Sequence, residues 1–383
     1  MPKKVMKAMK KPQFPLPKRG KHRVQRRPAA TNTYVPVPYV RHGQPTTKNK
    51  AHRQRWGRSV QMFMALRGRR LIERLQKDQI LPNWEGHTCP RCSTGSLGSL
   101  KYFKEKKVWA YRCSHRHCHK MLQPHDYHPI FFLGAGNSQT KLHEQAAVLY
   151  AAVAGVSSQA AHLVLDMDHK PVERIFANLE VARARYVTAK EKDITYGGNW
   201  EDAEVDEVDI GKSTDNNIEG DYNTKWEQWG GLVQRGCPSS LRLFKLEPKL
   251  TKKRAPGPGL IRKRDWKGIG MKLLANSKVV LHSDGAKAYK LKIPEVIHCN
   301  VVHQKKKVKI NGKVHWIKPH YTKVYKVKLP NGNLLSVKSG TQIIDRNQAL
   351  TRKIRSAQFT YWFRYGNMWK ATGTMLDFLW NNS

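Results

Sequence analysis

Apolar positions recur at helical spacing from Trp56 to about Gln79, where Met62, Met64, Leu66, Leu71, Ile72 and Leu75 predict one helix that Gly57 and Gly68 weaken. Past Trp84 the period shortens to alternation. Leu100-Lys-Tyr-Phe and Val108-Trp-Ala-Tyr-Arg predict two short strands. From Lys141 to Tyr186 the spacing is helical again: one helix from His143, a break at Gly155-Val-Ser-Ser, a second helix through Leu165 and a third from about Lys170. Ser157 and Ser158 are N-cap candidates for the second. Helix, short Gly-containing turn and helix outline a helix-turn-helix, although an ordinary three-helix packing unit has the same outline. Arg174, Asn178, Arg183 and Arg185 would supply the polar face of a recognition helix.

The C-terminal half reads as a sheet. Ala203-Glu-Val-Asp-Glu-Val-Asp-Ile-Gly211 is strand-like with Asp206 at its middle; strict alternation sets Glu204 on the same side and Val205 and Glu207 on the other. Trp229-Gly-Gly-Leu-Val-Gln-Arg and Ser240-Leu-Arg-Leu-Phe-Lys-Leu follow as strands, then a helix near Asp265 to Ala275. An apolar strand from Lys278 ends on Asp284, just before Gly285. Three strands, a helix and a fourth strand, with Asp on the first and at the end of the fourth, is the order expected of an RNase H-like fold. Such a fold calls for a third carboxylate on a later helix, where Asp345 stands in Gly340-Thr-Gln-Ile-Ile-Asp345. Asn311-Gly312 and Asn331-Gly332 predict Lys-rich hairpins in between, suited either to DNA or to covering an edge strand.

Charge changes the picture most. The chain of 383 residues carries 71 Lys and Arg against 28 Asp and Glu, a formal charge of +43, far beyond what solubility requires. A polyanionic partner is implied, nucleic acid before anionic membrane, because the longest apolar run, Ala146 to Val156, is too short to span a bilayer. No apolar leader opens the sequence, so a cytosolic or nuclear protein is expected. No acidic residue precedes Glu73, and prolines are scattered from Pro2 to Pro45, so residues 1–55 read as a disordered basic tail. Lys18-Arg19-Gly20-Lys21 and Arg26-Arg27 there suit phosphate neutralisation or nuclear import, or are simply solvated. An acidic shift from Glu201 to Asp221 is either a solvated loop or a site for a divalent cation.

Six Cys with two close pairs point to metal rather than disulfides in a reducing compartment. Cys89-Pro-Arg-Cys92 and Cys113-Ser-His-Arg-His-Cys118 on two hairpin tips make a zinc ribbon, in which His115, His117 or His119 could replace one Cys. Two free thiol pairs in a small β unit are the alternative.

Several ordered pieces from Trp84 onward resemble the Merlin-type DDE transposases, eukaryotic relatives of the bacterial ISXO-like insertion-sequence group. The ribbon with Trp109-Ala-Tyr-Arg-Cys113 is similar to theirs. Val205-Asp-Glu-Val-Asp-Ile-Gly-Lys212 resembles the family's first catalytic strand, and His282-Ser-Asp-Gly-Ala-Lys-Ala-Tyr289 its second catalytic motif. Thr341-Gln-Ile-Ile-Asp345 stands where the family has Thr-Asn-x-Ile-Glu, and Met375-Leu-Asp-Phe-Leu-Trp380-Asn resembles its closing helix. The resemblance implies cut-and-paste DNA transposition, with metal-dependent strand cleavage and strand transfer at transposon ends.

Its catalytic acids would be Asp206, Asp284 and Asp345, holding two Mg2+ or Mn2+ ions, beside a structural Zn2+ on Cys89, Cys92, Cys113 and Cys118. Glu207, Asp209 and Asp377 are reserve acids. Arg174, Lys305, Lys306 and Lys307 would contact DNA, both transposon ends and target. The partners expected are DNA and further copies of the chain, with no membrane, in the nucleus of a eukaryote or otherwise in the cytoplasm with the nucleoid. Two departures stand out: Asp345 is one methylene shorter than the family's Glu, and its separation from Asp284 is long. A domesticated DNA-binding descendant without catalysis is the second reading, and a structural RNA-binding protein, which leaves the Asp motifs unexplained, is the third.

The expected architecture is α+β multidomain. It comprises a tail over 1–55, a linker helix over 56–80, a zinc ribbon over 81–130 and a helix-turn-helix-like unit over 138–192. An RNase H-like domain over 198–383, with inserted hairpins around 305–340, completes it.

Overall fold

The computed structural model describes residues 57–133, 140–303, 305–310, 312–317, 319–345 and 354–382, with the side chains of 306, 310 and 345 outside that description. The expected basic tail therefore lies outside the described residues.

The helix expected over 56–80 is two, α1 (Val60–Ala65) and α2 (Gly68–Lys77). Ser59 caps α1 by accepting the Met62 N–H at 3.1 Å, and Leu66 and Arg67 are extended. Gly68 reopens the helix at φ +52°, a left-handed conformation that glycine takes without the Cβ clash. The pair is no linker, because Phe63, Leu71, Ile72 and Leu75 are buried in the larger hydrophobic core.

The segment expected as a ribbon holds a three-stranded antiparallel sheet of β1 (Lys101–Phe103), β2 (Val108–Arg112) and β3 (Met121–Leu122). Its own core is small: Trp84, Leu97, Tyr111 and Leu122 beside the cysteines. Trp380 of the C-terminal helix meets Trp84 edge-on at 4.2 Å between ring centroids, fastening the ribbon to the chain's far end.

Three helices follow at the expected places: α3 (Leu142–Val153), α4 (Ser158–Leu165) and α5 (His169–Lys190). Ser157 caps α4, accepting the Ala160 N–H at 3.1 Å, and Asp168 caps α5. The polar face assigned to the third helix is corrected in part. Arg183 is buried, its guanidinium 5.3 Å from the Phe359 ring centroid, and Asn178 donates to the Ile130 carbonyl at 2.9 Å. Arg183 faces the core because α5 packs against α8 (Ile354–Trp362) and α9 (Met368–Asn381), whereas Asn178 is held by the segment that follows the ribbon.

The remaining body is a mixed sheet. Its path runs β6 (Arg242–Lys245), β5 (Thr224–Gln234), β4 (Glu201–Thr214), β8 (Val279–Ser283), β9 (Val296–Asn300), with β7 (Lys249–Thr251) pairing β5 off this path. The first three strands are antiparallel neighbours, whereas β4, β8 and β9 run parallel. The parallel return from β7 to β8 passes through α6 (Lys263–Leu274), which buries Trp266 and Leu274 against the sheet with Val205, Leu232 and Leu281. The hairpins expected around 305–340 are present and differ in role. β12 (Lys323–Lys328) and β13 (Leu334–Ser339) bury Val327 and Val337 against Trp200, Val280 and Cys299, so this hairpin covers the sheet. β10 (Lys306–Ile310) pairs with β11 (Lys313–Ile317), which is exposed at every position. The short helix α7 (Gln342–Asp345) then packs on β4 and β5. Among the described residues no helix is long and apolar enough to cross a membrane.

Candidate metal centres

Among the described residues, two groups of side chains could hold a metal ion. In the first, one sulfur from each of Cys89, Cys92, Cys113 and Cys118 lies within 4.8 Å of the others. Cys89 and Cys118 are 3.9 Å apart and Cys92 and Cys113 3.7 Å. Metal–sulfur bonds of about 2.3 Å at tetrahedral angles would set sulfurs about 3.8 Å apart, so the cage has the size a tetrahedral ion needs. The Gly95 and His115 N–H groups donate to Cys92 and Cys113 Sγ at 3.4 Å each, bonds that favour the thiolate. Gly95 is required by space: a Cβ there would sit 2.5 Å from Cys113 Sγ. His115, His117 and His119 do not join the group.

The second group is Asp206, Glu207 and Asp284, again with one oxygen from each within 4.8 Å of the others. Backbone pairing dictates most of it. Glu204 on β4 lies beside His282 on β8 in parallel register, so two residues further Asp206 comes level with Asp284. Asp284 follows the last residue of β8, and its carboxylate accepts the Ala286 N–H at 2.9 Å. Asp206 accepts the Glu207 N–H at 2.9 Å, and Glu207 accepts the Ile261 N–H at 2.8 Å. Glu207 is thus held by the chain leading into α6.

Burial pushes the Glu207 carboxyl up, the nearby Asp284 charge adds to this, and the Ile261 hydrogen bond opposes it. Tyr289, from the second motif, buries its hydroxyl against this carboxylate without a hydrogen bond of ordinary geometry. Burial, then the charges of Glu207 and Asp206, raise that phenol well above its ordinary range. Three acids so close repel one another unless a proton or a cation intervenes. The cavity they line, about 440 Å³, is lined also by Asp209, Gln228, Pro256, Gly257, Gly259 and Leu260. Lys249 Nζ holds this loop, donating to the Gly259 carbonyl at 2.9 Å and the Leu260 carbonyl at 2.5 Å.

The structure thus brings Asp206 and Asp284 together with Glu207, which alternation had set on the other side of the strand from Asp206. The level match with Asp284 across β4 and β8, together with the Ile261 anchor, accounts for this; adjacency in sequence was the signal available. Asp345 ends α7, and its side chain lies outside the described residues.

α7 itself is fixed beside β4. Glu204 accepts the Ile343 and Ile344 N–H groups at 2.8 and 3.1 Å with one oxygen and Arg235 Nε at 2.7 Å with the other. Ile344 packs where Gly231 faces Asp206 across the strands; a Cβ on Gly231 would lie 2.8 Å from it. Of the residues expected on DNA, Arg174 is exposed over the Phe132 ring at 4.2 Å, and Lys305 and Lys307 are exposed at the start of the β10–β11 hairpin. The Lys306 side chain lies outside the described residues. Compared with family models, with curated proteins and with solved structures, the chain matches none.

Proposed function

We propose that the chain is a divalent-metal-dependent DNA transposase that cleaves strands and transfers them through one acidic site. The observation that carries this reading is the meeting of Asp206 and Asp284 at one level of adjacent parallel strands, with Glu207 beside them. The strand path β6-β5-β4-β8-β9, antiparallel at first and then parallel, agrees with an RNase H-like catalytic domain. Carboxylate oxygens suit hard ions such as Mg2+ or Mn2+, whereas the four thiolates suit zinc, so the two centres would not exchange metals.

Bound divalent ions would supply an activated water or 3'-hydroxyl and stabilisation of the leaving oxygen. The chain's own residues do the rest. Asp206, Glu207 and Asp284 would hold the ions, Tyr289 would limit the rotation of Glu207, and the loop through Gly257 would restrict access of bulk water. Lys252, Lys253 and Arg254, exposed where this loop begins, would lie along the phosphates. The ribbon and helical unit would position the DNA, with further copies of the chain holding the second end.

Duplexes taken from the DNA flanking the gene, incubated with the chain in Mg2+, test the reading. The wild type should cut them, and Asp284→Ala should cut at least about a hundred-fold more slowly. Cleavage unchanged by Asp284→Ala would sink the assignment. A wild type that binds without cutting would instead favour a DNA-binding descendant, the reading motivated by the shorter acid at Asp345.

A further inference from the structure

A recess of about 500 Å³ that neither metal centre uses lies where the ribbon meets α2 and the start of α3. Its wall has an aromatic part and a cationic part. Tyr102 and Trp109 line it with ring centroids 5.5 Å apart, and Tyr102 is 47% exposed. Trp109 is set in place by Gly68, whose missing Cβ would lie 3.0 Å from the indole nitrogen. Arg67, Lys107 and Lys141 bring positive charge, and no carboxylate is among the lining residues.

The N-terminus of α3 opens into the same recess through Lys141, Leu142 and His143, adding the positive end of its peptide dipoles. Glu144, the acid of that first turn, is occupied with the Lys141 N–H at 2.8 Å and does not line the space. His125 and His143 are kept neutral mainly by burial, His125 at about 4, so they offer polar atoms without charge.

An anion-binding end beside a stacking surface matches the two halves of a nucleotide. A recess of this size holds one small ligand and excludes a paired duplex, so a base would reach it only out of its stack. We infer that this recess takes a single unpaired nucleotide of a nucleic-acid strand, its base against Tyr102 and Trp109 and its phosphate towards Lys141 and Arg67. The inference concerns how nucleic acid is held and is independent of whether the acidic site cuts it.

The test is fluorescence anisotropy with the full, zinc-loaded chain and no added Mg2+, on a duplex with one unpaired adenosine and on the same duplex fully paired. The unpaired base should strengthen binding about ten-fold, the range of one base stacked on an aromatic side chain. Tyr102→Ala and Lys141→Ala, both at exposed positions, should each remove that advantage while leaving affinity for the paired duplex and zinc content unchanged. Equal affinity of the wild type for the two duplexes, or an advantage that survives both substitutions, overturns the inference. Free dAMP binding as tightly as the bulged duplex would overturn its assignment to a strand. Binding to neither duplex would overturn the nucleic-acid reading as well.

Discussion

Glu204 is fully buried and divides its two oxygens between the Arg235 guanidinium and the first N–H groups of α7. Arg235 in turn donates to the Lys338 and Gly340 carbonyls, so one ion pair joins β4, the end of β5 and the segment leading to α7. Desolvation makes such a pair a weak source of net stability, yet removing one partner leaves a buried charge uncompensated. Glu204→Ala should therefore cost about 3 to 5 kcal/mol in urea unfolding. A loss below about 1 kcal/mol would show that water replaces the carboxylate. The sequence offered Glu204 only as a neighbour of Asp206 on the same strand face. Its role depends on α7, which is distant in sequence, and alternation alone carries no information about that. The same limit left Glu207 among the reserve acids, since its anchor, the Ile261 N–H, comes from a loop more than fifty positions on.

At the scale of elements, the meeting of the four Cys was the most legible, because two close pairs flanking short alternating stretches are readily brought together by an antiparallel sheet. Gly95 went unnoticed, since its need arises only once Cys113 approaches across the hairpin. Zinc removal should unfold the ribbon first and free the Trp84–Trp380 contact. Chelation followed by Trp fluorescence and metal analysis should show about one zinc per chain lost with a shift in emission. An unchanged spectrum after complete loss would contradict a structural role.

The segment after the ribbon adds a pH dependence. His128 is buried, its Nε2 at 2.8 Å from the Ile80 carbonyl and its Nδ1 accepting the Ile130 and Phe131 N–H groups. Burial pulls it down to about 3, and the neighbouring His125 adds to this. With a folded value below the ordinary 6.5, its contribution is complete above that pH and is lost as pH falls towards 3. The urea midpoint should fall steadily from pH 7 to 4, and His128→Asn should reduce the protons taken up on unfolding by about one. An identical slope in the variant would remove His128 from the account. The helix expected over 56–80 breaks at Gly68, one of the two glycines that weaken it, through an extended Leu66–Arg67 joint that helical spacing does not reveal.

Across the whole molecule, the order of strands and the two hairpins could be read from alternation and turns, as could the excess of positive charge. What periodicity could not supply was the packing between units. The third helix of the helical unit looked free to meet DNA because its arginines are polar, yet Arg183 faces Phe359 of a helix near the chain's other end. The helix pair read as a linker is likewise core, since Phe63 meets Trp369 at 5.1 Å between rings. These contacts tie the ribbon, the helical unit and the C-terminal helices together around the face of the sheet opposite Val205. Whether the chain can cut DNA depends on Asp206, Glu207 and Asp284 holding a divalent ion. Mn2+ binding to the zinc-loaded chain, followed by electron paramagnetic resonance, tests it most directly. The account predicts Mn2+ taken up by the wild type and lost when Asp206 and Asp284 are both replaced by Asn; equal uptake by the two proteins would contradict it.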